Sequence, residues 1–132
     1  MIISALHKFI FVAVPKTGTH AVRQALREHL GPEDLEQVGL FVTKRFPMPE
    51  LAAIRHGHIT LEQVRPHLQP EDFAGYFKFG FVRNPFDRFV SFCSFITRKH
   101  GSFDQDPQGV MRHLLFTNPP HRQIHFQPQH IF

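Results

Sequence analysis

Residues 15–19, with the sequence Pro-Lys-Thr-Gly-Thr, carry groups that suit the binding of a phosphate or a phosphosulfate. Lys16 offers a positive charge, and Thr17 and Thr19 offer hydroxyl donors. Gly18 allows the backbone to approach a ligand closely. If a helix begins here, its first amides add donors that point at an anion. The alternative is an ordinary strand-to-helix turn with a solvated lysine, because the spacing is not that of the G-x-x-x-x-G-K-[ST] phosphate loop.

A second group of polar residues lies in residues 83–91, Arg-Asn-Pro-Phe-Asp-Arg-Phe-Val-Ser. Asn84 is a preferred helix cap, and the proline after it suits a first helical turn. Arg88 and Ser91 follow Asn84 at four and seven residues, so the three share one helical face near Arg83. Guanidinium and hydroxyl donors on one face fit an anion. A surface ion pair on a capped helix is the alternative.

The hydrophobic pattern predicts the elements that would hold these groups. Buried strands alternate with helices, which predicts an α/β domain with a mainly parallel sheet. Ligands of such folds bind beyond the carboxyl ends of the strands, where both motifs would lie. The predicted strands are 7–14 and 77–82, and the predicted helices are 19–30, 49–54, 60–68, 84–99 and 108–116. The apolar residues of helix 19–30 share one face, and Thr60 with Gln63 three positions on predicts a capping box at the start of helix 60–68.

Composition limits the class of protein. The 132 residues suffice for one domain, and the net charge of +4 favours acidic partners. Lys and Arg are dispersed along the chain, which argues against nucleic acid. Cys93 is the only cysteine, so we expect a reducing compartment and no thiolate zinc site, and its apolar neighbours predict a packed core position. No segment has the roughly 20 apolar residues of an integral membrane anchor.

Taken together, the two motifs resemble those of the sulfotransferase superfamily, especially its carbohydrate-type branch. There, P-K-[TSAN]-G-[TS] binds the 5′-phosphosulfate of 3′-phosphoadenylyl sulfate (PAPS), and R-[ND]-P-x-x-R-x-x-S binds its 3′-phosphate. The resemblance implies a P-loop-like, three-layer α/β/α domain over residues 1–132. It also implies metal-independent transfer of a sulfuryl group from PAPS to a hydroxyl of a carbohydrate or related acceptor. The nucleotide-binding residues that it implies are Pro15, Lys16, Thr17, Gly18, Thr19, Arg83, Arg88 and Ser91. His20 stands where the family usually has a small polar residue, and we expect it to bind the nucleotide as a further donor.

The resemblance extends to His56-Gly57-His58, which is similar to the H-G-H stretch that uronyl 2-O-sulfotransferases place before a helix. Their second histidine is the general base, so this role is implied for His58, with His56 assisting. The acceptor hydroxyl must lose a proton as it attacks sulfur, and an imidazole suits that transfer. Lys16 would stabilise the charge on the departing oxygen. A metal-binding histidine pair and histidines that only cap the helix are the alternatives.

The chain is shorter than most members of that family, so we expect a domain that is incomplete at its C-terminus. A truncated, non-catalytic module that binds nucleotide or a sulfated glycan is therefore the alternative function. A kinase is disfavoured, because no Walker lysine and no Mg²⁺-binding carboxylate follow a strand. Missing targeting signals favour the cytoplasm, as in bacterial members, whereas eukaryotic relatives imply association with the Golgi membrane. The stretch His125 to Gln129 resembles an H-x-x-P-Q segment of bacterial relatives, which we expect near the acceptor.

Overall fold

The computed structural model describes residues 1–37, 46–54, 56–117 and 124–132. These residues fall into two compact units, and each is described by itself. The first unit comprises residues 1–14, 18–81 and 132, and the second comprises residues 15–17 and 82–131. The first motif thus contributes residues to both units, whereas the second motif lies within the second unit. One domain over residues 1–132 stays a prediction.

The first unit contains a four-stranded mixed sheet with the strand order β3-β1-β2-β4. Its strands are β1 (Ile2–Ser4), β2 (Phe9–Val12), β3 (Leu35–Glu36) and β4 (Phe77–Gly80). Strand β1 is antiparallel to both β2 and β3, whereas β2 and β4 are parallel. The α/β class is confirmed. The mainly parallel sheet is wrong for the described residues, because the chain reverses at residues 5–8 and pairs β1 with β2 as a hairpin.

A buried carboxylate fixes the turn between β1 and β2. Asp34 is 3% exposed and accepts hydrogen bonds from Ser4 Oγ at 2.7 Å and from the amides of Ala5, Leu6 and Gly31 at 2.8, 3.2 and 2.9 Å. Burial raises the pKa of this carboxyl, but the hydrogen bonds favour its charged form and leave the pKa below its usual value. The Asp34 carboxylate therefore stabilises the hairpin that carries β2.

Replacing Asp34 by alanine is expected to lower the free energy of unfolding by about 2–3 kcal/mol, because it leaves the buried Ser4 hydroxyl and three partly buried amides without this partner. Because the folded-state pKa is lowered, this contribution is present above about pH 4 and is lost as the pH falls through the folded-state pKa. Urea unfolding between pH 3 and 7 measures both effects. Glu33→Ala is the matched control, since Glu33 is exposed; equal midpoints for the two variants would contradict the prediction.

Four helices complete the described part of the first unit. They are α1 (Thr19–Arg27), α2 (Pro49–Ala52), α3 (Leu61–Val64) and α4 (Pro70–Gly75), and a 3₁₀ turn (Arg65–His67) follows α3. The apolar face predicted for residues 19–30 is confirmed. Its side chains Val22, Leu26 and Leu30 pack against the buried core residues Ile2, Phe11 and Ala13. The core of the first unit therefore lies between α1 and the sheet.

An ion pair joins α1 to the edge of the sheet. Arg27 donates two hydrogen bonds to the carboxylate of Glu36 in β3, at 2.9 and 2.8 Å. Arg23 Nε lies 3.3 Å from the same carboxylate, and the side chain of Glu36 is only 3% exposed. A buried carboxylate needs such partners. The contact fixes α1, the helix that begins directly after the first motif.

Strand β4 differs from its prediction. The run of residues 77–82 predicted a buried strand, but β4 is the edge strand of the described sheet, and Phe77 and Val82 are 70% and 77% exposed. Phe79 does pack inward, with its ring 5.3 Å from that of Phe11. The sequence shows that these residues are apolar, but it does not show which strand lies at the edge.

The second unit is helical in its described residues. It contains α5 (Pro85–Thr97), α6 (Ser102–Gln105) and α7 (Pro107–Phe116), followed by 3₁₀ turns at Ile124–Phe126 and Gln129–Ile131. Its core is built around Phe92, Cys93 and Leu114. The core position predicted for Cys93 is confirmed, since its side chain is fully buried. Burial raises the pKa of this thiol.

Candidate functional site

Lys16 has an unusual backbone and a half-buried side chain. Its φ of 64° lies in the left-handed region, which few residues other than glycine adopt. Its ammonium nitrogen lies 4.0 Å from the centre of the Phe95 ring, a cation–π contact. A strained lysine that is held against an aromatic ring is typical of a functional position.

Two arginines place further positive charge around this lysine. Burial lowers the pKa of Lys16 most, and the charges of Arg98 and Arg83 lower it further. The guanidinium carbon of Arg98 lies 3.9 Å from the centre of the same Phe95 ring. No carboxylate within the described ranges forms an ion pair with Lys16, Arg83 or Arg98. We call these three side chains the cation cluster, and its uncompensated charge suits a multiply charged anion.

Arg98 is the member of the cation cluster that sequence reasoning missed. It follows Ser91 by seven residues and Phe95 by three, so all three share one face of α5 and its C-terminal end. This spacing was a signal that could have identified it. The Arg98 guanidinium also donates a hydrogen bond of 2.8 Å to the carbonyl of Phe95. Phe95 is 42% exposed, although its ring is apolar.

The second motif forms the helix start that the sequence predicted. Asn84 Oδ1 accepts hydrogen bonds from the amides of Phe86 and Asp87 at 2.9 and 3.4 Å, and Pro85 occupies the first turn of α5. The cap fixes where α5 begins. It thereby sets the direction in which the half-buried Ser91 leaves the helix.

Arg88 is buried, and its guanidinium contacts the C-terminal segment. It is 7% exposed, and its Nη2 donates to the carbonyls of His125 and Gln127 at 2.9 and 2.6 Å. Its buried Nη1 has no hydrogen-bond partner in the part of the chain that the structure describes. Arg88 therefore anchors residues 125–127, and its predicted contact with phosphate stays a prediction.

In the first unit, the start of α1 has the features of an anion-binding helix end. Gly18 is the N-cap with a φ of 81°, no side chain caps the helix, and the first turn carries no acidic residue. A Cβ on Gly18 would meet no atom within 4 Å, so glycine is required here by its φ and not by space. Thr19 and His20 form the first turn of this nine-residue helix. The first amides and the positive end of the helix dipole favour a negative ligand.

The histidine pair lies in the first unit, before α3. His58 Nδ1 lies 2.6 Å from the carbonyl oxygen of Ala13, which directly follows β2. Since a carbonyl only accepts hydrogen bonds, Nδ1 carries the proton, and in the neutral ring Nε2 is the nitrogen that accepts one. The hydrogen bond therefore selects the tautomer that a general base requires.

His56 supports the same loop. Its ring stacks on that of His58 with a centroid separation of 5.9 Å, and partial desolvation lowers its pKa. The carbonyl of Gly57 accepts a hydrogen bond of 2.8 Å from the main-chain nitrogen of Met1. The backbone between the two imidazoles is thus held by a main-chain hydrogen bond.

The structure bears on the two alternatives for these histidines. The cap of α3 is Thr60, whose side chain accepts from the amide of Gln63 at 3.1 Å, while the Gln63 side chain accepts from the amide of Thr60 at 2.9 Å. The predicted capping box is confirmed, and the helix is capped by Thr60 and not by a histidine. Within the described ranges, no group of three His, Cys, Asp or Glu side chains could hold a metal ion.

The fold and these sites define an α/β protein with an uncompensated cluster of cations. A model of the sulfotransferase family matches residues 1–112, and the chain belongs to the sulfotransferase family. Transfer of a sulfuryl group is therefore the general activity of its class, and the resemblance seen in the motifs is confirmed. Neither a curated protein nor a solved structure matches the chain. Within the described residues, no helix is both long and apolar enough to cross a membrane.

Proposed function

We propose that this protein transfers a sulfuryl group from PAPS to a hydroxyl of a carbohydrate. The observation that carries the proposal is the cation cluster. It joins Lys16 of the first motif to Arg83 of the second, within reach of each other's charge and without a carboxylate partner in the described residues. Each of the two family motifs thus supplies a cation, and the two cations are neighbours. A single nucleotide that carries a 3′-phosphate and a 5′-phosphosulfate requires such a pair.

The residues of the second unit would bind the charged parts of the donor. Arg83 and Ser91 supply a guanidinium and a hydroxyl for the 3′-phosphate, and Lys16 supplies a point charge for the phosphosulfate. Arg98, which shares the Phe95 ring with Lys16, adds a third positive charge. PAPS carries several negative charges, so three uncompensated cations match its charge better than a single lysine does.

The family resemblance assigns the other roles to residues 18–20 and 58. Gly18, Thr19 and His20 begin α1, whose uncapped first turn suits the oxygens of the phosphosulfate. His58 is the proposed base, because its hydrogen bond to Ala13 selects the tautomer with Nε2 as proton acceptor. This role of His58 rests on that tautomer and on the resemblance of the H-G-H stretch to uronyl 2-O-sulfotransferases.

The proposed step is a single displacement at sulfur. PAPS supplies the sulfuryl group on a phosphate leaving group. Nε2 of His58 takes the proton of the acceptor hydroxyl as its oxygen forms the new bond to sulfur. The bond from sulfur to the bridging oxygen breaks, and its electron pair stays on that oxygen, where Lys16 stabilises the negative charge. No side chain of the protein becomes sulfated.

The proposal is tested in two stages with the purified chain. Calorimetric titration with adenosine 3′,5′-bisphosphate should show binding at micromolar concentrations that is weaker for adenosine 5′-monophosphate, which lacks the 3′-phosphate. Transfer of ³⁵S from labelled PAPS to chondroitin and to simple sugars then tests turnover. Lack of binding by the folded protein would refute the proposal, and binding without transfer to any sugar would leave a nucleotide-binding module.

Replacing Lys16 by methionine is expected to weaken nucleotide binding about tenfold while the melting temperature stays level or rises by up to about 4 °C. Loss of one charge-assisted contact accounts for the affinity. Relief of repulsion by Arg98 and Arg83 favours the folded state, and a thioether keeps contact with Phe95. Calorimetry and thermal unfolding measure the two effects, and Lys99→Met at an exposed position is the control.

The same substitution has a signature in pH. The pKa of Lys16 is lowered in the folded state, so the unfolded chain binds more protons between that value and the usual value of about 10.4. The contribution of the Lys16 side chain to the stability of the wild type therefore rises with pH in this window, and Lys16→Met should lack this rise. A melting temperature for Lys16→Met well below that of Lys99→Met would contradict the claim that the Lys16 charge serves function and destabilises the folded protein.

A further inference from the structure

The C-terminal segment holds the backbone of Arg83 through a side-chain amide. Gln129 Oε1 accepts a hydrogen bond of 2.8 Å from the amide of Arg83, and Gln129 Nε2 donates one of 2.8 Å to the carbonyl of the same residue. Such a reciprocal pair is the pattern that a neighbouring strand offers to one residue of a sheet. Here a glutamine side chain provides it, 46 positions along the chain.

The segment that carries Gln129 is anchored on α5 by several independent contacts. Arg88 binds the carbonyls of His125 and Gln127. The ring of Phe126 lies 5.6 Å from that of Phe89 and 4.9 Å from that of Phe92, between centroids. Gln129 is therefore held from the same helix whose start follows Arg83, and the side-chain amide acts from a fixed position.

Arg83 needs such support because of where it lies. It follows the end of β4, its side chain is exposed, and it directly precedes the Asn84 cap. A residue outside the helices and strands has backbone freedom that ligand binding would have to remove. Pairing of both its main-chain groups removes that freedom in advance and fixes the direction in which the guanidinium leaves the chain.

We infer that Gln129 is a positioning residue for nucleotide binding, which acts by fixing the backbone of Arg83 so that its guanidinium is presented to the 3′-phosphate. The inference rests on the proposed function of Arg83. Gln129 lies outside residues 1–112, the part that the sulfotransferase family model matches. Both hydrogen bonds are exposed to solvent, so they contribute little to overall stability. Their main effect is on the affinity for the nucleotide.

The test is a double-mutant cycle with Gln129→Met, which keeps the length of the side chain and removes both hydrogen bonds. The affinity for adenosine 3′,5′-bisphosphate, measured by ³¹P NMR into the millimolar range, should fall about tenfold in the wild-type background. In the Arg83→Ala background it should fall less than twofold, because the guanidinium that Gln129 positions is gone. Gln108→Met, at an exposed position of the same unit, is the matched control and should change neither.

Hydrogen exchange measures the protection of the Arg83 amide in the absence of nucleotide. The Arg83 amide should exchange faster in Gln129→Met than in the wild type, while melting temperatures of Gln129→Met and Gln108→Met agree within about 2 °C. Equal losses of affinity in both backgrounds, or no loss in either, would overturn the inference and leave the proposed function intact. A wild-type protein that does not bind the nucleotide would overturn both.

Discussion

Replacing His58 by asparagine should lower the rate of sulfuryl transfer by about 10²–10⁴-fold and leave the affinity for adenosine 3′,5′-bisphosphate unchanged. Removal of a general base has this cost, and the base does not contact the nucleotide in the proposed step. The asparagine amide can still donate to the carbonyl of Ala13, the bond that His58 Nδ1 makes at 2.6 Å. The variant thus loses the proton acceptor and keeps the local fold. Transfer of ³⁵S from PAPS to chondroitin measures the rate.

His56→Asn is the matched control for this prediction. The two rings stack, so both substitutions remove the same ring contact, but only one removes the proposed base. We expect His56→Asn to lower the rate less than tenfold. A larger loss in His56→Asn than in His58→Asn would assign the proton transfer to His56, whose lowered pKa keeps it neutral further into the acid range. Equal affinity for the nucleotide in both variants confirms that the second unit is intact.

Replacing Arg83 by alanine should lower the affinity for adenosine 3′,5′-bisphosphate by roughly 30- to 150-fold, which corresponds to about 2–3 kcal/mol for a charge-assisted contact with phosphate. The affinity for adenosine 5′-monophosphate should change much less, because that ligand lacks the 3′-phosphate. The ratio of the two affinities, obtained by calorimetry, therefore reports the contact of Arg83 itself and cancels any general effect on the site.

The control for Arg83→Ala is Arg112→Ala, an exposed arginine of α7 in the same unit. It removes one positive charge without touching the cation cluster, so it measures the effect of net charge alone. We expect less than a twofold change in affinity for either ligand. If Arg83→Ala lowered the affinity for both nucleotides equally, Arg83 would act on the 5′ side of the ligand or through the overall positive potential of the site. Its assignment to the 3′-phosphate would then be wrong.

The parts of this protein that sequence predicted well are those that depend on local chemistry. Asn84 caps α5 and Thr60 with Gln63 caps α3, because a side chain three residues or fewer from its partner amide needs no information from the rest of the fold. The apolar face of α1 was predicted by its period, and the burial of Cys93 was predicted by its neighbours. Each of these signals lies within one or two turns of chain.

Contacts between distant segments were the part that sequence could not supply. The hairpin of β1 and β2 depends on Asp34, about 30 positions away, so the run before residue 15 predicted one strand and a parallel sheet. The exposure of Phe77 depends on the position of β4 in the sheet. The proximity of Arg98 to Lys16 and the pairing of Gln129 with Arg83 depend on tertiary packing. Residue type restricts such partners without selecting among them.

The burial of Cys93 makes the reactivity of this thiol a measure of how often the second unit opens. It is the only cysteine of the chain, it is fully buried beside Phe92 and Leu114, and its raised pKa keeps it in the unreactive thiol form at neutral pH. An alkylating reagent therefore modifies it only in molecules whose second unit has opened. The same unit carries the cation cluster, so a bound nucleotide that keeps this unit closed protects the Cys93 thiol from alkylation. The degree of protection therefore reports the occupancy of the nucleotide site, and neither the protein nor the ligand needs a label.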